Sequence, residues 1–345
     1  MLKRYMHKRE RYFAMLNDNR LVRPFEWGTE FVSDKADGGE PVKVFENYAE
    51  KVIQTSDEYF RLPEIQDFQI KNLKNGERQI KNLTWTSAVQ TPSPANNTAV
   101  AKFFPHEKDK KAAVVVLPHW NAQAGSYFDL CKFFNRVGVS ALRLTLPYHE
   151  ERMPEDLERA DFLVSPNIGR TIQSVKQAVL DTKASIKWLY NQGFENVGIV
   201  GTSIGSCVAF LAFVHDETIK SAVFNHVSGY VADVVWRGLS TYHVKEGLDG
   251  NISLEELRLC WSPISPMSYV EKMANLPERP QRYIYTLYDL SFPVDLSKET
   301  MRQLRLHNIE HSEVALPCGH YTLGEKPWVY LDGYKIISFL RKHLK

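Results

Sequence analysis

Apolar and polar positions along the chain divide it into two unlike stretches. Over the first 65 or so residues the spacing is helical. Leu2, Met6, Phe13 and Leu16, with Tyr5 and Tyr12, lie near one helical face, and Lys3, Arg4, Lys8, Arg9 and Arg11 cover the other. Such a basic amphipathic helix is expected to dock on its own domain or on a partner subunit. Peripheral contact with an anionic membrane is the lesser alternative. A second helix is predicted over Val42–Arg61, after a turn-rich segment containing Gly38-Gly39.

From about Asp67 the runs become short and alternating. Phe68–Lys71, Arg78–Val89 and Thr98–Phe104 read as antiparallel strands, with Asn75-Gly76 as a hairpin turn. Ala112–Leu117 is continuously apolar, as a strand buried on both faces would be. Helices are then expected over Gly125–Val137, Arg170–Asn191, Ile204–His215, Leu296–His307 and Trp328–His343. Between them fall strands at Ser140–Leu146, Val197–Val200, Ser221–Asn225, Arg282–Leu287 and Ser312–Leu316. Antiparallel strands followed by repeated strand–helix units predict an α/β protein with a mostly parallel central sheet and helices on both faces. The division expected is a helical extension at 1–65 and a core at 66–345, with an insertion at about 229–280 carrying Tyr230, Trp236, Tyr242 and Trp261. Such an insertion forms either a lid over the pocket or a fixed cap.

In a sheet of this kind ligands sit at the carboxyl ends of the strands, so the residues just past each strand matter most. Val197–Val200 is followed by Gly201-Thr202-Ser203-Ile204-Gly205, a G-x-S-x-G match. A serine nucleophile stands on a strained strand-to-helix turn, where side chains two residues either side would collide. Serine needs a base, and the base needs an orienting acid. Asp289 follows Arg282–Leu287, with Asp295 as a nearby competitor, and His320 follows Ser312–Leu316. Each residue alone is weak, since Ser and Asp also cap helices and turns. Three in the order Ser, Asp, His, each just past a strand, point together to nucleophilic catalysis.

On these residues the chain from about Asp67 to Lys345 resembles the α/β-hydrolase fold superfamily. The resemblance implies Ser203 as nucleophile, His320 as general base and then acid, Asp289 as the acid that holds the imidazole, and an acyl-enzyme formed without metal or organic cofactor. It also implies an oxyanion hole made by the backbone N–H of Ile204 and one from the loop after Ala112–Leu117. There the sequence departs from the family pattern: it reads Pro118-His119-Trp120-Asn121, with Trp120 where a glycine is common. Trp120 or Asn121 would supply the main-chain donor, and the indole would either wall the site or pack under the loop. Ser206 stands where a third glycine is common, and no glycine precedes Asp289. The next loop, Leu146–Arg152, should border the same site, with His119, Trp120 and His149 as substrate-pocket residues. Its Glu150 and Glu151 are expected to be solvated and paired locally with Arg152, because neighbours on an extended chain point apart.

Composition narrows the function without specifying it. The 345 residues carry 43 Lys+Arg against 41 Asp+Glu, a balance that argues against nucleic acid as a partner. The longest apolar runs, Cys207–Val214 and Ala112–Pro118, are too short to cross a bilayer. The four cysteines form no C-x-x-C pair and no disulfide framework, and the charged N-terminus is unlike a secretory signal, so a cytoplasmic location is the expectation. The reading is a serine hydrolase cleaving a small-molecule or lipid carboxylic ester. A thioesterase or lipid deacylase, and a non-catalytic binding or scaffold protein of the same fold, are the alternatives. A homo-oligomer stays open.

Overall fold

A computed structural model describes residues 2–16, 18–32, 39–73 and 80–345. The expected Asn75-Gly76 turn, Arg78 and Gly38 lie outside the described residues. Nine strands form one sheet: β1 (Gln69–Asn72), β2 (Lys81–Thr86), β3 (Thr98–Phe104), β4 (Ala112–Leu117), β5 (Ser140–Thr145), β6 (Asn196–Thr202), β7 (Ser221–Asn225), β8 (Gln281–Thr286) and β9 (Ser312–Leu316). Their spatial order is β1-β2-β3-β5-β4-β6-β7-β8-β9. The pairs from β1 to β5 are antiparallel and those from β5 onward are parallel.

The helices are α1 (Leu2–Ala14), α2 (Pro41–Gln54), α3 (Ser56–Tyr59), α4 (Phe128–Arg136), α5 (Ile168–Asn191), α6 (Ile204–Val214), α7 (Val231–Arg237), α8 (Tyr242–Leu248), α9 (Leu254–Cys260), α10 (Val270–Ala274), α11 (Val294–Leu306) and α12 (Trp328–Leu344). The pleat of β4 feeds two cores. Ala113, Val115 and Leu117 pack with α5 and α6, whereas Ala112, Val114 and Val116 pack with α4 and α12. This two-sided burial is why the strand reads as an unbroken apolar run.

From β4 the chain runs to β5 on one side and then crosses to β6 on the other. The loops after β4 and β6 therefore face each other across a crevice at the point where the strand order reverses. No described helix is long and apolar enough to cross a membrane.

Four expectations change. The helix expected over Val42–Arg61 breaks at Thr55 into α2 and α3. On α1 the buried positions are Met6, Glu10 and Ala14, while Leu2, Tyr5 and Tyr12, and Leu16 just beyond the helix, are exposed. The docked stripe thus runs at four-residue spacing through an acidic residue, which a count of apolar positions passes over. The 229–280 insertion, whose sequence shows no regular periodicity and is expected to be irregular, is largely helical, built from α7 to α10, and is packed down by fully buried Trp261, whose indole N–H donates to the Ile168 carbonyl.

The Leu146–Arg152 loop is the fourth. Glu150 pairs with the buried Arg143 of β5, Glu151 with Lys102, and Arg152 with Asp181 of α5. Arg143 and Arg152 are buried charges that must find a carboxylate; Arg143 draws Glu150 inward, whereas Glu151 stays half exposed, as expected.

Candidate active site

Ser203 sits between β6 and α6 with φ 59° and ψ −125°, a strained conformation for a residue with a side chain. The turn is tight. A Cβ on Gly201 would lie inside the Gly205 carbonyl, and one on Gly205 inside the carbonyls of Leu117 and Pro118. Only glycine fits at either place. The Ser203 N–H donates to the Asn225 carbonyl at 2.9 Å, which ties the turn to β7. Ser206, at the position where glycine is common, donates its hydroxyl to the Ser203 carbonyl at 2.7 Å and so fits the turn despite its side chain.

Asp289 is buried after β8. Its Oδ1 accepts the N–H groups of Ser291 and Phe292 at 2.8 and 2.7 Å, and its Oδ2 accepts the His320 Nδ1–H at 3.0 Å. Burial opposes the charge on Asp289, but the imidazoles of His320 and His226 beside it hold its carboxyl well below the usual carboxylate range. For His320, burial would depress the pKa, yet the Asp289 carboxylate outweighs it and the net shift is upward. Phe292 stacks on the His320 ring with centroids 5.3 Å apart. The competitor Asp295 instead forms an exposed pair with Arg237.

Ser203 and His320 line one cavity of about 360 Å³, together with His119, Trp120 and Asn121. No hydrogen bond joins the Ser203 hydroxyl to His320 among the described residues. Such contacts are commonly loose until substrate is bound.

The loop after β4 corrects two expectations. The Asn121 N–H donates to His149 Nε2 at 2.8 Å, so it is not free to face an oxyanion. His149 is itself buried, donating from Nδ1 to the Pro147 carbonyl at 2.9 Å, and does not line the cavity. Burial pushes its pKa down to about 3, so it stays neutral with Nε2 as an acceptor. His149 therefore holds the loop and does not face the cavity. Among the expected donors, that leaves Trp120 in the loop and Ile204 at the start of α6, whose first N–H groups have no partner within the helix. Trp120 both walls the cavity and is pinned: its indole N–H donates to the Ala160 carbonyl at 2.8 Å, and its ring stacks on His243. His119 faces the cavity with Nδ1 2.8 Å from the Tyr127 hydroxyl, and burial pushes its pKa down to about 4.

The sequence reading missed His226. It follows β7 directly, with φ 51°, and its Nδ1 donates to Asp289 Oδ2 at 3.1 Å. Two imidazoles thus share one carboxylate oxygen, their centroids 4.2 Å apart. The rule that singled out Ser203, Asp289 and His320, a chemical residue just past a strand, would have found it. His226, Asp289 and His320 offer ligand atoms within 4.8 Å of one another, a spacing that suits a metal ion as well. A metal would first have to displace both Nδ1 protons from the carboxylate.

No protein-family model and no curated protein sequence matches the chain. Solved structures do. An acetyl xylan esterase from Paenibacillus sp. R4 superposes with a TM-score of 0.61 at 12% identity, covering 90% of this chain and 97% of that one. Acetyl xylan esterase 1 from Thermoanaerobacterium sp. gives 0.60 at 12% identity over 89% and 94%. An acylaminoacyl peptidase from Pyrococcus horikoshii gives 0.61 at 14% identity over 81% of this chain, which spans only 42% of the peptidase. The chain has the α/β-hydrolase fold.

Proposed function

We propose that the protein is a serine hydrolase that cleaves carboxylic esters. The observation that carries this reading is the strained Ser203 turn opening on the same cavity as His320, whose imidazole is held by Asp289. In this mechanism Ser203 Oγ attacks the acyl carbonyl while His320 Nε2 takes its proton. Asp289 keeps the proton on Nδ1 and stabilises the imidazolium that forms. The N–H groups of Ile204 and Trp120 face the developing oxyanion. The imidazolium then protonates the departing alcohol, and a water deprotonated by His320 releases the acid.

Esters are favoured over amides because an alkoxide leaves more readily than an amide anion. Esterases among the structural neighbours support the same choice. The 360 Å³ cavity suits a small acyl group better than a long lipid chain.

The test is a fluorophosphonate probe read by intact mass, on the parent and on Ser203→Ala. One added probe on the parent and none on the variant supports the reading, as does a loss of ester turnover in the variant of at least about 10³-fold. A folded parent that takes no label would instead favour a binding protein on this fold.

A further inference from the structure

The cavity around Ser203 has two unlike kinds of lining. Ile204, Cys207, Val231, Val234 and Val235 supply an apolar lining, and Arg20, Arg159 and Tyr321 supply a polar and charged one. No carboxylate side chain lines it among the described residues. Both arginines are largely buried, their side chains 8% and 15% exposed, and a buried guanidinium is costly unless its N–H groups are used.

Neither is fully used. Arg20 donates from Nη1 to the Ala14 carbonyl at 2.7 Å, pairs through the same nitrogen with Asp18 Oδ1 at 2.8 Å, and donates from Nη2 to the Tyr321 hydroxyl at 3.0 Å, while its buried Nε has no partner. Arg159 donates from Nη1 to Asn19 Oδ1 at 3.0 Å, and its guanidinium lies 5.7 Å from the Trp120 ring centroid. Its Nε stands 3.4 Å from Asp161 Oδ1 without forming a hydrogen bond. Asp161 is already engaged through Oδ2 by Arg23. Arg20 and Arg159 line the cavity, whereas their carboxylate neighbours Asp18 and Asp161 do not.

From this charged lining we infer that the substrate carries a carboxylate on its alcohol portion, received by Arg159 and Arg20. The inference rests on Ser203 and His320 acting as proposed above. The side of the ester follows from the chemistry. The leaving alcohol must lie beside His320, which protonates it, and Tyr321 and its partner Arg20 adjoin that residue. The acyl group then falls against the valines. Guanidinium N–H groups match carboxylate geometry.

The test compares 4-acetoxybenzoate with 4-methylphenyl acetate, which differ in carrying a carboxylate or a methyl group on the alcohol ring. The parent is expected to favour the carboxylate ester in kcat/KM by about tenfold, roughly one charge-assisted hydrogen bond. That preference should shrink as salt is raised. Arg159→Gln should remove most of it through KM, and Arg159→Lys should keep most of it. Because both esters are measured on the same sample, the ratio is independent of any loss of folded protein.

A parent ratio near one, or Arg159→Gln slowing both esters equally, would overturn the inference and leave Arg159 as a tie between loops. Turnover of the neutral ester without preference sinks this inference alone. Turnover of neither ester, with Ser203 unlabelled by the fluorophosphonate, sinks it together with the hydrolase reading.

Discussion

Asp332 on α12 is a buried carboxyl with one oxygen accepting the Asn225 side-chain N–H at 2.8 Å and the other without a partner. Asn225 in turn accepts the His226 N–H on its side-chain oxygen and the Ser203 N–H on its carbonyl, so this acid lies directly beneath the site. Burial pushes its pKa up to about 7. In the unfolded chain an Asp titrates near about 3.9. Between those values the folded state binds the extra proton. The stability this group contributes is therefore complete below about pH 4 and is lost as pH rises through about 7. Asp332→Asn keeps the acceptor for Asn225 and removes the titration. At pH 8 the variant should be the more stable protein, by about 4 kcal/mol at most, with the two converging towards pH 4. Urea unfolding at both pH values checks this, and parallel stability curves would contradict it.

At the scale of elements, α1 acts on the site through one side chain. Glu10 is fully buried, with Oε1 accepting the Thr322 N–H and hydroxyl, each at 2.9 Å, and Oε2 accepting the Tyr321 N–H at 3.1 Å. It thereby fastens the two residues that follow His320, and its charge adds to Asp289 in raising the His320 pKa. Glu10→Gln keeps an acceptor oxygen and removes the charge. The imidazolium is then less favoured, so the rising limb of kcat/KM against pH, set by His320 losing its proton, should move to lower pH. An unmoved limb would mean that Glu10 only holds the loop.

None of this could be read from the sequence, and the reason is physical. The strands and their end residues were legible because two-sided burial makes β4 and β6 unbroken apolar runs, and because tight turns demand glycines at 201 and 205. Glu10, Arg20 and Arg159 reach the site from outside the strand ends, across 310, 300 and 161 residues to His320, and no local pattern marks such contacts. The Asn121–His149 bond was hidden for the same reason, since a main-chain N–H looks free in any sequence.

Over the whole molecule, the first 60 residues hold two different relations to the rest. Up to Arg20 the chain lies on the surface of the core. It buries Met6, Glu10 and Ala14 of α1, pairs Arg9 with Glu325, and brings Leu16 and Arg20 to the cavity. From α2 onward it is part of the core: Phe45 and Phe60 have no exposed surface and pack in one cluster with β3, β4, α5 and α6. Losing a buried Phe side chain costs about 3–5 kcal/mol, and a domain is stable by only about 5–15 kcal/mol in total. Two such losses take most of that margin before any exposed surface on α5 and the cap is counted. Removal of residues 1–20 should therefore leave a chain that still melts cooperatively, with Tm lowered by several degrees and the preference for a carboxylate-bearing ester reduced by the loss of Arg20 and of Asn19, which holds Arg159. Removal of residues 1–61 should give a chain with no cooperative melt. Circular dichroism melts of the two truncations separate these outcomes. A cooperative transition in the shorter chain would show that the sheet and its remaining helices form a complete core without α2 and α3.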